Sequence, residues 1–183
     1  MIADAAAKQR PYAGFFDWPD RTVVEWGVAT TLAETAGSDP SLQIRHVERR
    51  GQGNDPPDCE ALDNSGRRIA LEVTELVDGE SIKRAKAGAP VTWAKWNRET
   101  LVSRLQALLE RKDAVSLKDA PYDEYIVLIH TAEPALTFDV VEEWLRTHLF
   151  AAPTQINRAY LLLSYESQRE TCPYVQLRWE DGA

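Results

Sequence analysis

The residues whose types and spacing could do chemistry lie between positions 54 and 76. They read Asn54-Asp55-Pro56-Pro57-Asp58-Cys59-Glu60-Ala61-Leu62, then Asp63-Asn64-Ser65-Gly66, then Arg67-Arg68-Ile69-Ala70-Leu71-Glu72-Val73-Thr74-Glu75-Leu76. Ile69, Leu71 and Val73 alternate with Ala70, Glu72 and Thr74, the period-2 pattern of a half-buried strand, and the Asp-Asn-Ser-Gly cluster is turn chemistry. A β-hairpin is predicted, with Glu72 on the face opposite the aliphatic residues. If the hairpin closes tightly at 63–66, Asp58 falls across from Glu72, and directly opposed side chains stand about 5 Å apart at Cβ. Two carboxylates so placed repel unless a positive charge lies between them, and an all-oxygen site suits Mg²⁺ or Mn²⁺. The competing reading is a pair of solvent-facing acids on an edge hairpin. Glu60 shares the strand face of Asp58 and reads as a polar neighbour rather than a ligand. Glu75 points the other way and reads as a strand-end charge.

The surrounding chain must position this hairpin. Residues 1–18 read as an N-terminal arm or short helix carrying Tyr12, Phe15, Phe16 and Trp18. From 20 to 36, Val24, Val28, Leu32 and Ala36 recur every four residues between Pro19-Asp20 and Gly37, which predicts an amphipathic helix. Residues 41–49 suggest a strand, and 75–90 a charged loop with one helical turn near 81–87. Trp93, Trp96, Leu101, Leu105, Leu108 and Leu109 predict a long helix ending near Lys112. A continuous apolar run at 125–130 reads as a strand covered on both faces. Val141, Trp144, Leu145 and Leu149 predict another helix, and 159–164 and 174–179 two closing strands. The order predicts an α/β sandwich with a central mixed sheet flanked by helices.

With 183 residues, 44% of them hydrophobic, the chain suits one domain spanning 1–183. Two cysteines, Cys59 and Cys172, are too few for a disulfide framework and match no zinc spacing. No apolar run reaches membrane length and no signal-peptide pattern opens the chain, so a cytoplasmic protein without a membrane partner is expected. A net charge of −8 disfavours a DNA-coating role, because affinity for phosphates rests on Lys and Arg. It leaves room for a nuclease with local basic residues such as Lys83, Arg84 and Lys86.

Helix, strand, Pro-Asp strand, Glu-x-x strand, helix and strand together resemble the core of the PD-(D/E)xK nuclease superfamily, the restriction-endonuclease-like fold. Pro57-Asp58 matches its Pro-Asp motif, and Glu72-Val73-Thr74 falls where its Glu-x-Lys lies; the resemblance spans roughly 20–130. It implies a metal-dependent phosphodiesterase acting on DNA, with Mg²⁺ or Mn²⁺ held by Asp58, Glu72 and the Val73 carbonyl. Thr74 stands in place of the motif lysine, and its hydroxyl cannot supply a positive charge. Lys83 or Lys86 would then take the lysine's part, with Lys95 a third candidate; the alternative is a catalytically inactive fold serving as a binding or assembly module.

The resemblance also implies an acid on the first core helix, for which Glu25 and Glu34 compete. At about 100° per residue with Val28 at zero, Leu32 falls at about +40°, Ala36 at about +80°, Glu25 at about +60° and Glu34 at about 240°. Glu25, inside the apolar stripe, is the predicted metal ligand, direct or through water. Trp93, Trp96, Trp144 and Trp179 read as packing residues, and His46, His130 and His148 as isolated. The Lys83-Arg84-Lys86 cluster reads equally as a phosphate-contacting patch or a solvated loop. A homodimer is compatible with the sequence.

Overall fold

The computed structural model describes residues 13–180 except 17, 19, 52, 91 and 92, so most of the expected arm at 1–18 lies outside the described residues. Helix α1 (Arg21–Thr35) starts where Asp20 Oδ1 accepts the Thr22 amide at 2.9 Å. That carboxylate satisfies one of the donors a helix N-terminus leaves open. Strands β1 (Arg45–Arg49), β2 (Cys59–Leu62) and β3 (Arg68–Glu75) follow. The β2–β3 turn is closed by Asp63, whose Oδ1 accepts the Ser65 amide at 2.7 Å and the Arg67 amide at 2.9 Å, with Gly66 at φ +84°. Only glycine takes that conformation without strain.

Beyond β3 the structure departs from the sequence reading. The expected loop at 75–90 contains a helix, α2 (Gly79–Lys86), capped by Asp78 through the Ser81 amide. The long helix α3 (Arg98–Asp113) starts later than Trp93, because Asn97 caps it by accepting the Thr100 amide at 2.8 Å. Trp93 and Trp96 therefore precede the helix. Strand β4 (Glu124–Thr131), helix α4 (Phe138–Leu145) and strands β5 (Arg158–Leu163) and β6 (Tyr174–Leu177) complete the order.

The six strands form one mixed sheet in the order β1-β2-β3-β4-β5-β6. β3, β4 and β5 are parallel neighbours and the other pairs antiparallel. Two parallel crossovers stepping the same way across a sheet, both right-handed, put their helices on one face. Accordingly α3 and α4 pack with Ala70, Val127 and Ile129 on one side, while α1 packs with Ile69, Leu71 and Leu128 on the other. This arrangement corrects the half-buried reading of β3. The strand is interior and residues 69–73 are buried, so Glu72 faces the α3 layer and not water.

Among the described residues no helix is long and apolar enough to cross a membrane. Leu105, fully buried in the middle of α3, is central to the second layer. Leu105→Ala should lower stability by about 2–5 kcal/mol through lost burial and the cavity left behind. A urea titration should show the midpoint falling at unchanged slope.

Candidate functional site

The β2–β3 register pairs Cys59 with Leu71, which carries Asp58 to the position across from Glu72. Asp58 precedes the first residue of β2, so the ladder gives Val73 no strand partner there. The Asp58 side chain substitutes: its Oδ2 accepts the Val73 amide at 2.8 Å. The Val73 carbonyl points toward the same edge as its amide, because the two groups of one residue share a side in an antiparallel pair.

Glu72 is 5% exposed, and its Oε1 receives the Lys112 ammonium at 2.5 Å. Glu72 Oε2 is also buried and has no partner among the described residues. Lys112 comes from the last turn of α3 with its side chain 13% exposed, and its backbone carbonyl accepts the Tyr125 hydroxyl at 3.1 Å. The third acid arrives from the other layer. Glu25 on α1 is 9% exposed and bonded to Arg21 one turn earlier at 2.5 Å, whereas Glu34 is exposed.

Electrostatics tie the three acids together. Burial pushes the Asp58 carboxyl above the usual range, against the Val73 amide, Lys112 and Arg21. Burial and then the Asp58 charge raise Glu72, against Lys112. Glu25 is raised by burial and then Asp58, against Arg21, with Glu72 adding to the rise. The Cys59 thiol beside them is pushed up to about 12, mainly by burial, which leaves it no thiolate chemistry near neutrality.

Among the described residues the lysine beside Glu72 is Lys112, not Lys83 or Lys86. Those two lie on α2 and are exposed; Lys83 pairs with Glu80 at 3.7 Å, and among the described residues no ion pair joins either to Asp58 or Glu72. Lys95 is exposed as well. The reason is geometric: α2 begins four residues beyond the end of β3, whereas α3 lies across the face to which Glu72 points. Thr74 shares that face, pairs with Ile129 on β4 and is partly buried. A signal for Lys112 exists in the sequence. With Leu105 at zero and about 100° per residue, Leu101 falls at about −40°, Leu109 at about +40° and Lys112 at about −20°. A lysine inside an apolar stripe needs an anionic partner.

The other candidates are accounted for structurally. Glu60 accepts Arg50 Nη1 at 2.7 Å, the Tyr122 hydroxyl at 2.5 Å and Arg68 Nη2 at 3.2 Å, so its lone pairs are used in a network at the start of the hairpin. Trp96, Trp144 and Trp179 pack on the core, while Trp93 is 54% exposed. His130 is buried with its ring edge-on to Phe15, and His148 is edge-on to Phe150.

The expected three-acid metal group is not assembled: among the described residues no three His, Cys, Asp or Glu stand ready to hold an ion. Each acid has one oxygen engaged by a donor of the chain itself, namely the Val73 amide, Lys112 or Arg21. Two facing carboxylates with an orphaned buried oxygen still fit a hard divalent cation, since Mg²⁺ is commonly held by one or two carboxylates plus substrate phosphate and water. Comparisons with protein-family models, curated proteins and solved structures gave no significant match. Fold and site together define an α/β protein with a partly buried group of carboxylates, countered by a lysine from one helical layer and an arginine from the other.

Proposed function

We propose that the chain is a metal-dependent phosphodiesterase of restriction-endonuclease-like fold acting on DNA. The observation that carries this reading is the inward-facing Lys112 against Glu72, across the hairpin from Asp58. It puts an ammonium beside the Glu-x-Thr strand that lacks the motif lysine, from a helix instead of from the strand. Asp58, Glu72 and the Val73 carbonyl would hold Mg²⁺ or Mn²⁺, with Glu25 direct or through water. Such an ion, when bound, lowers the pKa of a water and offsets charge on the scissile phosphate. Lys112 orients the attacking water and stabilises charge developing on the phosphoryl oxygens, because its ammonium is fixed by Glu72 on one side and free to donate two further bonds.

Local charge supports a polyanionic substrate. The connection between β3 and β4, residues 76–123, carries nine Lys and Arg against seven Asp and Glu, a slight positive excess in a chain whose net charge is −8. The test is cleavage of single-stranded, double-stranded and branched DNA by purified protein in Mg²⁺ or Mn²⁺. Glu72→Ala should remove the activity entirely, with the fold checked by circular dichroism. The same Lys112–Glu72 contact favours a second reading, a binding or assembly module in which the lysine stands permanently in the cation's place. Absence of cleavage on every substrate, with no Mn²⁺ binding, would select that module.

A further inference from the structure

Three acids, Glu25 and Glu72 buried and Asp58 half-buried, are countered unequally. Lys112 lies inside the protein, its side chain 13% exposed, whereas Arg21 at the first turn of α1 is 81% exposed and still reaches Glu25 Oε1 at 2.5 Å. The Arg21 contact is a single Nε bond, not the two-pronged arrangement that makes arginine–carboxylate pairs strong. Its reach is not confined to Glu25, since the charges of Asp58 and Glu72 also act on the guanidinium. Arg21 therefore stands at the solvent side of the cluster, on a flexible side chain, held by one bond to the one acid that comes from α1.

We infer that Arg21 is a displaceable counter-ion: it holds Glu25 while the site lacks a divalent cation, gives Glu25 up when one binds, and turns to a phosphate oxygen of the substrate. The inference rests on the metal-site reading above. It follows from the order of strengths. An exposed pair contributes little to stability, because solvent screens it and two long side chains must be held in one geometry. A divalent cation already held by Asp58 and Glu72 outcompetes a single guanidinium bond for the nearby Glu25. The freed arginine suits a phosphate better than a lysine would, as its planar fork matches two phosphate oxygens. Lys112 is less free to exchange in this way, with its side chain 13% exposed and its partner Glu72 buried.

The consequence is a pair of effects of opposite sign. In calorimetry, Arg21→Ala should bind Mn²⁺ about two- to fivefold more tightly than wild type, the range an exposed pair of this kind is worth. In Ca²⁺, the same variant should bind a short thymidine oligonucleotide several-fold more weakly, and Arg21→Lys should restore part of that loss. The tighter Mn²⁺ binding should vanish in a Glu25→Gln background, because the arginine then has nothing to release. Wild-type Mn²⁺ binding that Arg21→Ala leaves unchanged, or a shift of both affinities in one direction, would overturn the inference while leaving the metal site standing. No Mn²⁺ binding by wild type or variant would instead overturn the metal-site reading itself.

Discussion

Adding Mg²⁺ or Mn²⁺ is expected to raise the melting temperature of this protein, by more as the pH rises, and Asp58→Asn is expected to remove the increase. Asp58, Glu72 and Glu25 all have carboxyl pKa values raised by burial, and the Asp58 charge adds to the rise of the other two. A carboxyl whose folded pKa exceeds its unfolded value holds its proton more tightly when folded. The cost of ionising the cluster is therefore absent below the ordinary carboxylate range of about 4. It grows as the pH climbs through that range, and is complete above the raised values. Without metal, wild type should lose stability relative to Asp58→Asn across that window. A cation takes the place of the lost protons, so it should compete poorly at the acid end and well near neutrality. At a free ion concentration of about one hundred times Kd the gain is about 2.7 kcal/mol. For a chain of this size that corresponds to roughly 5–10 °C. Scanning calorimetry from pH 4 to 8, with and without Mn²⁺, reads both effects. Equal responses by wild type and Asp58→Asn would place any bound ion elsewhere.

What the sequence disclosed of this site, and what it hid, follow from the range over which each signal acts. The hairpin was legible because alternation at Ile69, Leu71 and Val73 and the Asp63–Gly66 turn are local, and together they fix which residues face each other. The burial of Glu25 was legible because a helical wheel needs only the helix's own residues. The double burial of β3 was not, because it depends on α3 packing across the strand from 26 or more positions later in the chain. The same alternation suits an edge strand with one wet face. Lys112 was hidden for a related reason. The stripe of Leu101, Leu105, Leu108 and Leu109 was evident, but a lysine in the last turn also reads as a surface cation matched to the helix dipole. Only the position of Glu72 beneath it separates the two readings. The helix start at Asn97 was obscured by Trp93 and Trp96, whose helical spacing continues the apolar pattern into residues that are not helical, Trp96 packing on the core and Trp93 exposed.

Replacing Lys112 should have the largest effect on activity, because among the described residues it is the one ammonium seated against Glu72. Lys112→Met keeps the length and the apolar stem while deleting the charge. Cleavage should fall on the order of 10²-fold or more, the scale of losing one preorganised transition-state stabiliser. Lys83→Ala and Lys86→Ala, both altering exposed side chains of α2, should stay close to wild type. Stability changes as well, since removing one partner of a buried ion pair leaves the other uncompensated and costs about 3–5 kcal/mol. The carboxyl of Glu72 can escape that cost by taking a proton, so the loss should be larger at pH 8 than at pH 5. Activity and folding must therefore be separated, and Thr74→Lys in the Lys112→Met background does so. Position 74 shares the strand face of Glu72, two residues on, and lysine there returns an ammonium to the cluster from the strand instead of the helix. Recovery of both cleavage and high-pH stability would show that the site requires the charge and not its point of attachment. Recovery of stability alone would make Lys112 an internal counter-ion. If wild type cleaves nothing while Thr74→Lys alone gains cleavage, the natural chain is a metal-competent scaffold whose lysine guards Glu72, and the binding-module reading replaces that of a nuclease.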